Sequence, residues 1–210
     1  MEKITSFVLR NNRSEILLFQ HEDYTIQLPA GSIENGEDIL DAGVREAIEE
    51  TEINKNAILG KNMINCITND LENNEVVIEV KADLYSRPIK TSMKWCAIPR
   101  GITVQKIKEK SDYIQVKYED WNNELEKDYI TFGVIGWIEK ANIGFEKNRH
   151  YCMIDVNDSR NEWEVKNDHH VFYCRWIPID KLPQDIYPNN KWIKVLIEEM
   201  KKDRRTIAST

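Results

Sequence analysis

Glu46, Glu49 and Glu50 stand at i, i+3 and i+4 within a stretch whose apolar residues recur at helical spacing, so a helix there gathers three carboxylates on one face. Like charges at that spacing destabilise the helix by roughly 0.2–0.5 kcal/mol per pair and raise one another's pKa. A hard divalent cation relieves both effects. Mg²⁺ takes oxygen ligands and binds through one or two carboxylates together with substrate phosphates and water. The alternative for an isolated Glu-rich helix is a solvated acidic face, on which Arg45 merely pairs with Asp41 or Glu49.

These side chains need a rigid support. The pattern predicts a helix from Asp38 to about Thr51, with Leu40, Val44, Ala47 and Ile48 forming a buried face distinct from that of the glutamates. Gly43 at mid-helix costs about 1 kcal/mol relative to Ala and reads as a point of close helix packing. Before the helix, Gln27-Leu28-Pro29-Ala30-Gly31 marks a tight loop. The opening runs Ile4–Leu9 and Ile16–Phe19, separated by Asn11-Asn12-Arg13-Ser14, read as a hairpin.

Strands are expected from Ile58 to about Tyr85, including Val76–Val80. After Pro88 a small β module follows: strands at 102–105 and 113–118 around a Lys-Ser-Asp turn, then Ile130–Ile138. A strand pair, Tyr151–Val156 and His170–Ile177, precedes a terminal helix from about Asn190 to Lys202 that buries Trp192, Val195, Leu196 and Met200.

From Gly31 the spacing is Gly, five residues, Glu37, seven residues, then Arg45-Glu46-Ala47-Ile48-Glu49-Glu50-Thr51-Glu52-Ile53. This resembles the box of the Nudix (MutT-like) hydrolases, Gly-x5-Glu-x7-Arg-Glu-U-x-Glu-Glu-x-Gly-U with U aliphatic or small, at every fixed position except Glu52. Leu28-Pro29-Ala30-Gly31 is similar to the usual entry to the box. Trp176-Ile177-Pro178-Ile179-Asp180 followed by a terminal helix resembles the usual end of the family domain. The resemblance implies an α/β fold, the Nudix α/β/α sandwich with a mixed sheet, in two parts at 1–87 (box at 31–53) and 146–210. The intervening 88–145 is similar to a small SH3-like β-barrel insert, a likeness carried by about Lys94–Ile143.

The implied chemistry is Mg²⁺- or Mn²⁺-dependent hydrolysis of a diphosphate bond, in a nucleoside diphosphate linked to another group or in a nucleoside triphosphate. Carried over by position, Glu46, Glu49 and Glu50 are metal ligands, and Glu49 or Glu50 polarises the attacking water. Glu37 is an outer or additional ligand, Arg45 holds the carboxylates through ion pairs, and Gly31 is the structural loop glycine. Glu52 replaces a glycine that normally ends the helix in the left-handed region, so a modest stability cost or an altered helix end is expected there.

Composition sets the limits. The chain has 210 residues, 41% hydrophobic and 31% charged, with a net charge of −7, which suits a globular core and gives no support to an extended nucleic-acid surface. No membrane-length apolar run and no signal-peptide layout are present, so a cytoplasmic protein is expected. Cys66, Cys96, Cys152 and Cys174 are too far apart in sequence for a zinc motif and read as reduced. The expected partner is a small-molecule nucleotide substrate. A homodimer is left open, many relatives being dimers.

Outside the box, Tyr24, Trp163, Glu164, His169 and His170 are in positions that could face the site, but ordinary packing is the preferred reading. Neighbouring histidines on a strand point to opposite faces and do not share an ion. Trp95, Tyr113, Tyr118, Trp121 and Trp137 are expected in the core of the insert, which gates substrate, serves structure or binds a partner. The competing class is a nucleotide-sensing or scaffold protein acting through that insert.

Overall fold

The computed structural model describes residues 1–20, 25–122, 129–167, 170–183, 186–187 and 190–208. Its first elements are β1 (Glu2–Arg10), β2 (Glu15–Gln20), β3 (Ile26–Gln27), β4 (Ala30–Ser32), α1 (Ile39–Thr51) and β5 (Ile58–Ile67). Then come β6 (Glu75–Ile78), β7 (Ala82–Tyr85), β8 (Lys94–Ile98), β9 (Thr103–Lys110), β10 (Tyr113–Asn122), β11 (Tyr129–Glu139) and β12 (Ile143–Gly144). The chain ends with β13 (Asn148–Val156), β14 (Glu162–Asn167), β15 (His170–Pro178), β16 (Ile186–Tyr187) and α2 (Asn190–Ala208).

Two compact units form, one from residues 3–66 and 150–210, the other from 1–2 and 67–149. In the first, the described residues build a sheet of order β14-β15-β2-β1-β13-β5, with β4 beside β1 and β3 between β2 and β16. β16 runs parallel to β3, which makes the sheet mixed. Ile4–Leu9 and Ile16–Phe19 are buried along their whole length, as strands covered on both faces must be. The hairpin turn places Asn11, Asn12 and Arg13 at φ of 52°, 54° and 63°, a left-handed run that Asn tolerates better than most residues. Arg13 is tied down by hydrogen bonds of 2.9 and 2.8 Å to the two oxygens of Asp155.

The helix α1 lies against one face of this sheet. Ala42 and Ala47 join Ile4, Val8, Leu17, Phe19, Cys152 and Ile154 in one buried cluster, with Leu40, Val44 and Ile48 at its margin. A Cβ on Gly43 would lie 2.6 Å from the Cys152 sulfur and 3.0 Å from the Ser6 hydroxyl, so helix and sheet approach more closely than any larger residue permits. Ser6 uses that approach to donate a 2.8 Å hydrogen bond to the Gly43 carbonyl.

Two expectations change here. Tyr151–Val156 and His170–Ile177 are not neighbours: β15 pairs with β2 on one side and with β14 on the other, while β13 lies beside β1 and β5. The strand β14 carries a period-two pattern, Glu162-Trp163-Glu164-Val165-Lys166, which is short and was not read as a strand in the sequence.

The second unit is a seven-stranded antiparallel sheet of order β12-β6-β9-β10-β11-β7-β8. β6 pairs with β9, and β7 pairs with β8 and β11, so both strands belong to this sheet. The turn between β9 and β10 has Ser111 at φ 51°. The core is aliphatic, made by Val76, Ile78, Leu84, Ile98, Val104, Ile114, Val116 and Ile138. Of the aromatics expected there, Trp137 is buried and Tyr118 packs at the margin, but Trp95 is 50% exposed. The Trp121 side chain lies outside the described residues.

Candidate active site

Asp38 starts the site. It caps α1 from an extended conformation, accepting from the Leu40 and Asp41 amides at 2.9 and 3.2 Å. The residue before it, Glu37, is oriented by the Glu34 amide at 2.9 Å and by the guanidinium of Arg45, nearly two turns into the helix. Sequence neighbours outside the helix and on it are thus joined into one ion-pair network.

Arg45 is the hub of that network. Its Nε and Nη2 reach the two Glu37 oxygens at 2.8 and 3.0 Å, a bidentate pair. Nη1 donates to Glu46 at 2.8 Å and to Glu49 at 3.1 Å, and Nη2 also reaches the Ser32 carbonyl at 2.9 Å. The guanidinium holds the Glu37 carboxyl below its ordinary pKa. Arg45 itself is held well above its ordinary value, first by Glu37 and then by Glu46.

Glu46 lies under the loop. A Cβ on Gly31 would sit 2.0 Å from its carboxylate, so glycine is the residue that lets β4 pass over this side chain. Burial raises the Glu46 pKa in spite of the Arg45 hydrogen bond. Glu50 accepts a 2.9 Å hydrogen bond from the Ala30 amide through one oxygen, and its other oxygen accepts none from the described residues. Burial pushes the Glu50 carboxyl up to about 8, with Glu46 and Glu49 adding repulsion. Glu49 is the open member, its side chain 52% exposed.

The helix ends as the replaced glycine would end it. Glu52 adopts φ 50° and ψ 31°, and its amide donates to the Ile48 carbonyl at 2.8 Å. The neighbouring carbonyls are also satisfied: the Trp163 indole donates to Thr51 at 2.7 Å and Arg160 reaches the Glu52 carbonyl at 3.2 Å. The Arg160 guanidinium lies 3.9 Å from the centre of the Trp163 ring. Trp163 is therefore a helix-end residue, and Glu164 is exposed on β14. Tyr24 and His169 lie outside the described residues, and His170 is described only as the first residue of β15.

Among the described residues no group of three or more His, Cys, Asp or Glu side chains is drawn together as ion ligands. The reason is local, since Glu37, Glu46 and Glu49 turn toward Arg45 while Glu50 turns toward the Ala30 amide. The donor set nonetheless has the chemistry of a hard cation site: carboxylate oxygens on one helix, two of them with raised pKa and mutual repulsion.

Sequence reasoning missed Lys3, Ser32 and the Ala30 amide as site groups. Lys3 pairs with Ser32 in the β1–β4 register, donates to its hydroxyl at 2.9 Å and adds positive potential at Glu46. No local signal announces this, because strand pairing brings the residues together over a distance in sequence.

No curated protein sequence matches the chain. Among solved structures it is similar to an Ap4A hydrolase binary complex from C. elegans, with 14% identity over 100% of this chain and 98% of that one and a TM-score of 0.43. The family model of the NUDIX domain matches residues 3–78, a span that holds Gly31, Glu37, Arg45, Glu46, Glu49 and Glu50. The likeness to the NUDIX domain thus falls on the part of the chain that holds the carboxylate helix.

Proposed function

We propose that the protein is a Nudix-type pyrophosphohydrolase, cleaving a diphosphate bond in a nucleoside diphosphate linked to another group or in a nucleoside triphosphate. The observation that carries this reading is the network in which Arg45 holds Glu37, Glu46 and Glu49 while Glu50 is fixed on the Ala30 amide. Glu46, Glu49 and Glu50 are the residues that would hold Mg²⁺ or Mn²⁺. When bound, such an ion neutralises phosphate charge and lowers the pKa of coordinated water. Arg45 keeps the carboxylates from drifting apart, and Gly31 keeps β4 clear of Glu46. Glu50 presents an oxygen without a described hydrogen-bond partner, and in its ionised form that oxygen can take a proton from the attacking water; exposed Glu49 is the other candidate for this role.

The test is nucleotide and phosphate release from a panel of nucleoside triphosphates and nucleoside diphosphate derivatives with Mg²⁺ or Mn²⁺, beside Glu50→Gln. Metal-dependent turnover lost in the variant is expected. Nucleotide binding without turnover on any compound would instead favour a sensing or scaffold protein.

A further inference from the structure

The network above leaves one groove beside α1 unused. Asp41, Arg45 and Glu49, spaced i, i+4 and i+8, line it together with Lys55, just past the helix, and Lys61, on β5. Val44, Ile48 and Ile58 make the floor, and all three pack on the core. The cleft encloses about 560 Å³, within the range of small-molecule sites.

The cations along it differ in availability. Arg45 is committed to three carboxylates and a carbonyl. Lys61 is paired with Asp41. Lys55 is exposed and makes no ion pair among the described residues. Its short turn is nevertheless fixed, because the Asn54 side chain accepts from the Asn56 amide at 2.9 Å and the Ala57 carbonyl accepts from Asn157 at 2.8 Å. An ammonium is thus presented from a held backbone into a cleft that shares Arg45 and Glu49 with the box.

We propose that Lys55, assisted by Lys61, binds a phosphate one unit beyond the bond that is cleaved, so that this enzyme prefers polyphosphate substrates to those ending in an uncharged sugar. The inference rests on the pyrophosphohydrolase reading and narrows its substrate class. Glu37, Glu46 and Glu49 share the Arg45 guanidinium, Glu50 is held by the Ala30 amide, and Asp41 adds a further negative charge at the groove. An extra phosphate entering beside Glu49 is repelled unless a cation meets it, and lysine is a phosphate binder of the point-charge kind. Asp41 then acts as the group from which an incoming phosphate takes Lys61.

The experiment measures kcat and KM of the full chain with Mg²⁺ on ATP and on ADP-glucose, for the parent, Lys55→Ala, Lys55→Arg and Asp41→Asn. Lys55→Ala should raise KM for ATP about tenfold, the equivalent of roughly 1.4 kcal/mol, with kcat and the ADP-glucose constants little changed. Lys55→Arg should restore most of the loss, and Asp41→Asn should lower KM for ATP. Equal effects on both substrates, or none on ATP, would overturn the assignment. A calorimetric arm needs no turnover: inorganic tripolyphosphate with Mg²⁺ should bind Lys55→Ala about tenfold more weakly, and equal affinity overturns the inference. Absence of turnover on every compound, with that binding difference intact, would sink the pyrophosphohydrolase reading and leave the phosphate site standing.

Discussion

Arg45 has five N–H donors in a planar fork, and the site directs them at three carboxylates and a carbonyl. A lysine carries one compact charge and cannot reproduce that geometry, so Arg45→Lys should lower metal-dependent kcat/KM by roughly tenfold or more while circular dichroism shows the fold intact. Glu52 makes the opposite case. It occupies the left-handed region at φ 50°, where a side chain costs about 1 kcal/mol or more relative to glycine. Glu52→Gly should therefore raise stability by about 1 kcal/mol in urea titration and retain activity. Loss of activity in that variant would show that Glu52 contributes something its backbone geometry does not explain. The identity of each box residue was legible in the sequence, but the distribution of its bonds was not. Nothing in the spacing says that Glu50 turns to the Ala30 amide while Glu46 and Glu49 turn to Arg45.

At the scale of the element, α1 is held at both ends by polar contacts of different origin. Its start is local: Asp38 caps the amides of Leu40 and Asp41, and Asp38→Ala should cost about 1 kcal/mol. Its end depends on β14, through the Trp163 indole on the Thr51 carbonyl. Trp163→Phe keeps the ring and removes the donor, so a loss of about 1 kcal/mol is expected, with faster amide hydrogen exchange confined to the last turn of α1. Unchanged exchange there would show that Arg160 caps the helix by itself. The helix limits agree with the sequence pattern to within a residue, because capping and 3.6-residue periodicity are local properties. The strand β14 escaped notice because its alternation, with Trp163 and Val165 between Glu162, Glu164 and Lys166, offers only two apolar positions.

The whole molecule buries two of its thiols in the first unit. Burial pushes Cys152 up to about 11 and Cys174 up to about 12, against an ordinary value of 9.0. Between pH 9 and about 11–12 the unfolded chain has released these protons while the folded chain keeps them, so stability falls as pH rises through that window. Thermal melts should decline more steeply above pH 9 in the parent than in Cys152→Ala/Cys174→Ala. At pH 8 a thiol reagent should modify exposed Cys66 and spare the two buried cysteines until the protein unfolds. The sequence by itself determined the box helix and its row of carboxylates, since helix geometry relates residues only a few positions apart. Tertiary structure alone decided that Gly31 passes over Glu46, that Lys3 stands beside Ser32, that Lys55 and Lys61 line a groove with Arg45, and that β6 and β7 join the second sheet. The physical reason is that a strand's period-two pattern states which face is buried and never names its partner. Every one of those contacts is made by a partner chosen at long range.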